Sequence, residues 1–498
     1  MSVAEHDSTA FLGARRLLEL LEARAVSSRE LLELYLDRGG RVGEAINPFV
    51  TIDAERAMAA ADAADAARSR GDRQLGSLHG LPMTVKDAFE TAGLRTTSGS
   101  EMLADHVPAR DADAVARLRA AGAVIFAKTN LPEFAADGQS FNSVAGTTNN
   151  PWDLERSPSG SSGGSAAALA SGLTSLELGS DISGSIRLPA HACGVFGLKP
   201  SYGLVPLRGH IPGPPGTLAV ADMNVAGPLA RDADDLELAL DVLAGPDQAR
   251  AKGWRLELPP ARARELARYR IAVWLDDPAC RVDDELLVVL QAAISKLSNA
   301  GAQLDERTGP VALADAIRVH RTLLMAVSSS GLTDEQFSGL VGAVGAGALP
   351  DEDRSRHMRW LAQSKRDWNF VNEERARMTA AWAGFFDEYD ALLCPVGPVA
   401  AIPHDHDPDM DGRRVLINGE QREYWDQVCW ISMASACYLP AASVPVGLTG
   451  SGLPVGLQVI APYLEDRTAI DVARQIAAVT GGFMAPPEPA AASSRSEA

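Results

Sequence analysis

Apolar residues recur at helical spacing through the first seventy positions. Residues 14 to 38 read as two helices, because Ser27 stands three residues before Glu30 as a capping box and LLELYL follows with leucines on one face. The alanine-rich run AERAMAAADAADAARSRGD predicts a third helix ending near Gly71. The pattern then shortens. LPMTVKD (81 to 87) and AVIFAKT are compact apolar runs too short for helices, and DAVARLRAAG between them has helical periodicity. Such alternation of helix and short buried strand predicts an α/β layer fold. Further on, DADDLELALDVLAG reads as a helix, YRIAVWLD (269 to 276) as a strand, and VDDELLVVLQAAISKLSNAG as a helix closed by Gly301. Residues 305 to 385 predict a helical excursion, with charged DEDRSRHMRW and glycine-rich VGAVGAGAL between its helices. Strands return in DALLCPV, AASVPVG and LPVGLQVIA. No internal repeat is visible, so one domain is expected over 1–484, followed by a disordered, proline-rich tail at 485–498.

Composition narrows the function. Apolar residues make up 46% and charged residues 22% of the chain, enough to bury a large core. With 46 Lys+Arg against 65 Asp+Glu, the formal charge is −19, which repels polyanions and anionic membrane surfaces. Neither nucleic acid nor membrane is expected as a partner, and no apolar run approaches the ~18 residues that span a bilayer. The five cysteines are far apart and never form CxxC, and MSVAEHDSTAFLGARR lacks the features of a signal peptide. A cytoplasmic enzyme is expected.

The chemistry-bearing stretches are SPSGSSGGSAAALASG (157 to 172) and LELGSDISGSIRLPAHACGVFGLKPSYGLVP (176 to 206). Glycines permit close backbone approach and serines supply hydroxyls, while the interrupting apolar helix and the IRLPA segment, read as a strand turn, argue against a flexible linker. Gly160, Ser162 and Gly164 fit G-x-S-x-G, the nucleophile elbow, but DLERSPS is no strand and the elbow also requires an Asp and one of the histidines His191, His210, His320, His357, His404 or His406. The pair His404 and His406 in PHDHDPD has no second ligand cluster, so a solvated loop is expected there and no metal. Cys193 reads as a small core residue. Gly197, Lys199 and Ser201 do not form a phosphate loop, since proline follows the lysine.

Taken together, LPMTVKD, AVIFAKTNLPEFA, NNPWD, GSSGGSAAA, GSDISGSIRLPA and CGVFGLKPSYGLVP resemble the amidase signature family, with a core at 81–206 and weaker likeness in LPAASVPVGLTGSGLPVGLQVIAP. The resemblance implies a large mixed, twisted β-sheet flanked by helices on both sides. It also implies a Ser-cisSer-Lys triad, with Ser185 as nucleophile, Ser161 as the bridging serine and Lys86 as base. The main-chain N–H groups of Ile182, Ser183, Gly184 and Ser185 would form the oxyanion hole. Asp87, Asp181 and Arg187 would brace the surrounding loops. The implied reaction is hydrolysis of a carboxylic amide, or of an ester, anilide or urethane, through an acyl-enzyme and without cofactor. Substrate contacts are expected from Phe134, Ala135 and Gln139, from His210 and Ile211 in GHIPGPPG, and from Leu324, Met325 and Leu340. The partner expected is a small-molecule amide acted on by a monomer or homodimer. The alternative is the A subunit of a tRNA-dependent glutamine amidotransferase; LPEFAADGQSFNS favours the stand-alone reading, and a glutaminase needs charged groups for the ends of the amino acid.

The chemistry of such a trio is plain. A serine hydroxyl attacks only when a base takes its proton, and lysine is a base only when desolvation lowers its pKa from ~10.4. Lys86 taken alone would be a surface residue; at the end of apolar LPMTV it suits burial. Two positions depart from the family pattern, Ser183 where glycine is usual and, more mildly, Ser159. If position 183 requires φ > 0, its serine strains the loop.

Overall fold

In the computed structural model, which describes residues 8–211, 214–347 and 352–488, eleven strands form one mixed sheet. They are β1 (Phe49–Ile52), β2 (Pro82–Lys86), β3 (Val124–Thr129), β4 (Glu177–Asp181), β5 (Phe196–Lys199), β6 (Val225–Ala230), β7 (Arg270–Val273), β8 (Gln303–Glu306), β9 (Ala391–Pro395), β10 (Ala441–Leu448) and β11 (Pro454–Ile460). Their spatial order is β1-β3-β2-β4-β6-β5-β10-β11-β9-β7-β8. Parallel pairing joins β3, β2 and β4 at one end and β9, β7 and β8 at the other, with antiparallel strands between.

The pairing of β2 with β4 positions the site. Thr84 lies opposite Glu177 and Val85 opposite Leu178, so Lys86 at the end of β2 comes close to the end of β4. Both strands are buried throughout. Gly179 in β4 is required by close approach, since a Cβ there would lie 2.6 Å from Leu229 Cδ1 and 3.0 Å from Ser162 Oγ.

The expected helices are present. α1 (Ala14–Glu22) and α2 (Ser28–Ile46) are separated by the capping box, in which Glu30 N donates to Ser27 Oγ at 3.1 Å and Ser27 N to Glu30 Oε2 at 2.8 Å. α3 (Ala54–Arg70) ends at left-handed Gly71, with φ 73°. α4 (Gly163–Ala170) is buried on every face. The IRLPA segment departs from expectation. It belongs to a buried helix, α5 (Arg187–Cys193), in which Pro189 occupies the first turn, where a missing N–H breaks no intrahelical bond.

The excursion comprises α6 (Leu313–Ser328), α7 (Asp334–Ala346), α8 (Glu352–Leu361) and α9 (Lys365–Phe385). Here too there is a correction, because VGAVGA and EDRSRHMRW lie within α7 and α8 rather than between helices. A Thr333/Gln336 capping box starts α7 and offsets part of the cost of its glycines, ~1 kcal/mol each. The expected tail falls outside the described residues from 489 onward; Glu488 pairs with Arg38 at 2.8 Å.

Candidate active site

Lys86 is fully buried, and its Nζ donates to three hydroxyls: Ser161 at 2.6 Å, Ser162 at 2.9 Å and Ser180 at 3.1 Å. Burial pulls its pKa down to about 7, against the opposing charges of Asp181 and Glu177. An uncharged amine is therefore available near neutral pH. The Gly160–Ser161 peptide bond is cis.

The turn after β4 is held by its own acid. Asp181 accepts from the N–H of Gly184 at 2.8 Å and of Ile186 at 3.1 Å, and Arg187 grips both its oxygens at 3.0 and 2.9 Å. Arg187 continues to Ile431 O, Gln458 Oε1 and Ser435 Oγ, which ties the turn to distant elements. Burial alone would raise the Asp181 carboxyl, but Arg187 outweighs it and holds the group down to about 2. The N–H of Gly184 is thus engaged by Asp181 and unavailable to an oxyanion. Those of Ile182, Ser183 and Ser185 make no hydrogen bond among the described residues. Three main-chain donors stand free beside Ser185, which is 8% exposed. Its hydroxyl is not bonded to Ser161 among the described residues, while its carbonyl accepts from Ser162 N at 3.1 Å. Contacts between catalytic hydroxyls often tighten only when substrate binds.

The departures from the family pattern exchange weight. Ser183 does not have positive φ; that conformation falls on Gly184, at 92°, and on Ser159, at 65°. The strained serine is Ser159.

Phe134 and Ala135 lie in a turn with φ 48° and 58°, anchored by Phe134 N to Ser98 O at 2.8 Å. Ser98 Oγ donates to Ile211 O at 2.8 Å, so this turn and the His210 loop are linked; Pro212 and Gly213 lie outside the described residues. His210 packs edge-on to Phe89 at 4.8 Å and receives Asn224 Nδ2 on Nδ1 at 3.2 Å, leaving Nε2 unpartnered. Gln139 is differently employed. Its amide donates to Asp405 O at 2.6 Å and accepts from Asp405 N at 3.1 Å, so it pins a loop and is not free for substrate. Asp87 accepts from Thr97 N at 2.8 Å and Thr97 Oγ1 at 2.6 Å, which fits a bracing role.

The elbow reading finds no support. Ser162 touches Lys86 and Ser180 O, while His191 is bound to Val399 O and Gly456 N. His406 stacks on Phe141 at 3.9 Å. Cys193 is fully buried. Sequence reasoning missed Ser162 and Ser180 as partners of Lys86, although both stand in the quoted motifs. It also missed Glu177 and a cavity of about 1090 Å³ against α6, lined by Arg318, Arg321, Arg356, Glu423 and Asp426 among others. His320, the residue before Arg321, lies beside the main chain of Ile182.

A family model described as Amidase matches residues 30–470. The glutamyl-tRNA(Gln) amidotransferase A subunit of Chromohalobacter salexigens is 34% identical over 481 residues, covering 92% of this chain and 95% of that one. Among solved structures, the glutamyl-tRNA(Gln) amidotransferase A subunit from Thermotoga maritima superposes with TM-score 0.76 at 26% identity, over 97% of this chain and 98% of that one. One described as an amidase has TM-score 0.77 at 28% identity, over 94% and 100%. These relatives overturn the expectation of a small-molecule enzyme working as a monomer or homodimer. Proteins named as one component of an amidotransferase point to protein partners.

Proposed function

The chain belongs to the amidase signature family, and on that premise we propose that it is the amide-cleaving component, the A subunit, of a tRNA-dependent glutamine amidotransferase. The observation that carries this reading is 34% identity to two A-subunit sequences over nine-tenths of both chains. Neutral Lys86 takes the proton of Ser161 as Ser161 takes that of Ser185, and Ser185 Oγ attacks the side-chain carbonyl of glutamine. The N–H groups of Ile182, Ser183 and Ser185 receive the developing negative oxygen. The C–N bond then breaks, Ser161 returns a proton to the leaving ammonia, and water hydrolyses the acyl-enzyme to glutamate.

Two features support the substrate. The cavity beside α6 is lined by paired guanidinium and carboxylate groups, Arg321 with Glu423 and Asp426 among them, which could exchange partners with the ends of an amino acid, and His320 with Arg321 links it to the turn at Ile182. With a formal charge of −19, the chain lacks the electrostatic footprint of a tRNA-binding surface, so RNA contact falls to another chain of the complex. A second reading, hydrolysis of a plain amide, ester, anilide or urethane by the same serine, draws on the 28% identity to a structure described as an amidase.

The test combines ammonia release from glutamine, asparagine, anilides, esters and carbamates with affinity capture of the tagged chain from its own cells. Glutamine is expected as the preferred amide and a stoichiometric second chain as the captured partner. Turnover of an anilide or ester far above glutamine, with no chain captured, would overturn the proposal.

A further inference from the structure

We propose that Glu177 is a positioning residue of the acyl-transfer site: a buried carboxyl that ties the strand of Lys86 to the helix after Ser161 and whose charge acts on the lysine. Glu177 opens β4 and is 1% exposed. It accepts hydrogen bonds from three hydroxyls on three elements: Thr84 of β2, Thr129 of β3 at 2.8 Å and Ser165 of α4 at 3.0 Å. Thr84 lies two residues before Lys86 and so shares its face of β2, while Ser165 stands four residues beyond Ser161. One side chain therefore joins the base's strand to the relay serine's helix.

A neutral amide could accept from Thr129 and Ser165 and donate to the hydroxyl of Thr84, and burying a carboxylate costs several kcal/mol, so the hydrogen bonds alone do not account for a glutamate. The charged groups around it are few. From β2 there is Lys86 and from β3 Lys128, while α4 (GGSAAALA) and β6 (VAGPLA) carry none. Asp181, at the far end of β4, is engaged by Arg187. Lys128 Nζ is committed to Phe89 O, Thr91 Oγ1 and Thr96 Oγ1, and lies 3.8 Å from Asp87. Glu177 thus acts on two cations, Lys128, which also has Asp87 beside it, and Lys86, which touches only hydroxyls. Burial pushes Glu177 up to about 7 and Lys86 down to about 7, so the two titrate in one window. Ionised Glu177 favours the ammonium form of Lys86; without that charge, the lysine loses its proton at lower pH.

The inference rests on the reading of Ser185 and Lys86 as nucleophile and base, so the readout is independent of glutamine: the rate of covalent labelling of Ser185 by a fluorophosphonate across pH. For Glu177→Gln, the half-maximal pH is expected about one unit below wild type, with the plateau within about fivefold. Glu177→Asp, which keeps the charge but shortens the reach, is expected to hold the wild-type half-maximal pH with a lower plateau. It decides the matter even where Glu177→Gln does not fold, since a shift of about a unit in the Asp variant overturns the proposal. An unmoved profile in a folded Glu177→Gln protein overturns it alone, whereas wild type unlabelled at every pH overturns the serine–lysine reading as well.

Discussion

Lys86 and Asp181 in the core at 81–206 and His320 in the excursion of α6 to α9 are buried polar groups held in opposite ways. In the core, Lys86 and Asp181 are fully committed to hydroxyls, main-chain N–H groups and a guanidinium. In the excursion, His320 is fully buried with neither ring nitrogen in hydrogen-bonding geometry among the described residues, and Arg321 gives both terminal nitrogens to Glu423 and Asp426 at the cavity wall while its buried Nε has no partner. A reaction step needs one fixed geometry whatever the substrate, whereas recognition needs donors left open for a ligand. On the proposed function, the first region carries the chemistry and the second the specificity.

The largest effect separates them. Lys86→Met is expected to lower turnover by about 10⁴-fold or more and to abolish fluorophosphonate labelling. The fold should survive, because a buried amine that must give up its charge is removed. Arg321→Gln is the counterpart: it breaks the pairs with Glu423 and Asp426 and lowers stability, and it is expected to raise the KM for glutamine about 10- to 100-fold in the protein that folds. Labelling by a small phosphonate, which needs no amino-acid ends, should stay near wild type. If Arg321→Gln suppressed labelling as deeply as Lys86→Met, the division between regions would be wrong.

Asp181→Asn probes the bracing between these extremes. Removing one partner of a buried pair costs ~3–5 kcal/mol, and the turn that presents Ser185 loosens with it. A fall in kcat of about 10- to 100-fold with KM little changed is the expected result. Asp181 is held down to about 2, so its contribution to stability is present above the unfolded carboxyl's ~3.9 and is lost as pH falls toward 2. It stays ionised through the neutral range. The wild-type rise in activity expected near pH 7 would therefore belong to Lys86 and its neighbours, and an activity profile with its midpoint near pH 4 would contradict this.

How far these regions were legible in the sequence follows the same line. Lys86, Ser161 and Ser185 stand in short motifs whose spacing is local, and the structure brings Lys86 and Ser161 within 2.6 Å. Helix α9 was covered only by a general helical reading of 305–385, while the alanine-rich helix α3 was legible from pattern alone. β4 was not. Its ELGSD sequence is poor in strand formers, and its two acids are buried only because hydroxyls and Arg187 arrive from elsewhere in the chain. Gln139 was misread for a related reason, since the loop it binds at Asp405 lies 266 residues away. The cavity beside α6 gathers arginines and acids from α6, α8 and residues 423–426, so no window of sequence contains it.

The smallest effect concerns where the backbone strain lies. On sequence grounds Ser183 was the suspect position, yet the left-handed conformation falls on Ser159, at φ 65°. A non-glycine residue there costs ~1–2 kcal/mol, and the Ser159 hydroxyl returns little, with only a 3.4 Å contact to Gly138 O. Ser159→Gly also loosens the unfolded chain, which takes back ~0.4–1 kcal/mol, so a net gain of about 0.5–1 kcal/mol is expected. Ser183→Gly relieves no backbone strain, and its unfolded-state penalty is offset by the loss of a buried hydroxyl that has no partner among the described residues, so it should change stability by less than about 0.5 kcal/mol. In a chain of this size the gain for Ser159→Gly is a rise of about one degree in Tm, against a smaller shift for Ser183→Gly, measurable by parallel thermal unfolding of the two variants. A rise for Ser183→Gly with a fall for Ser159→Gly would move the strain back into the turn that carries Ser185.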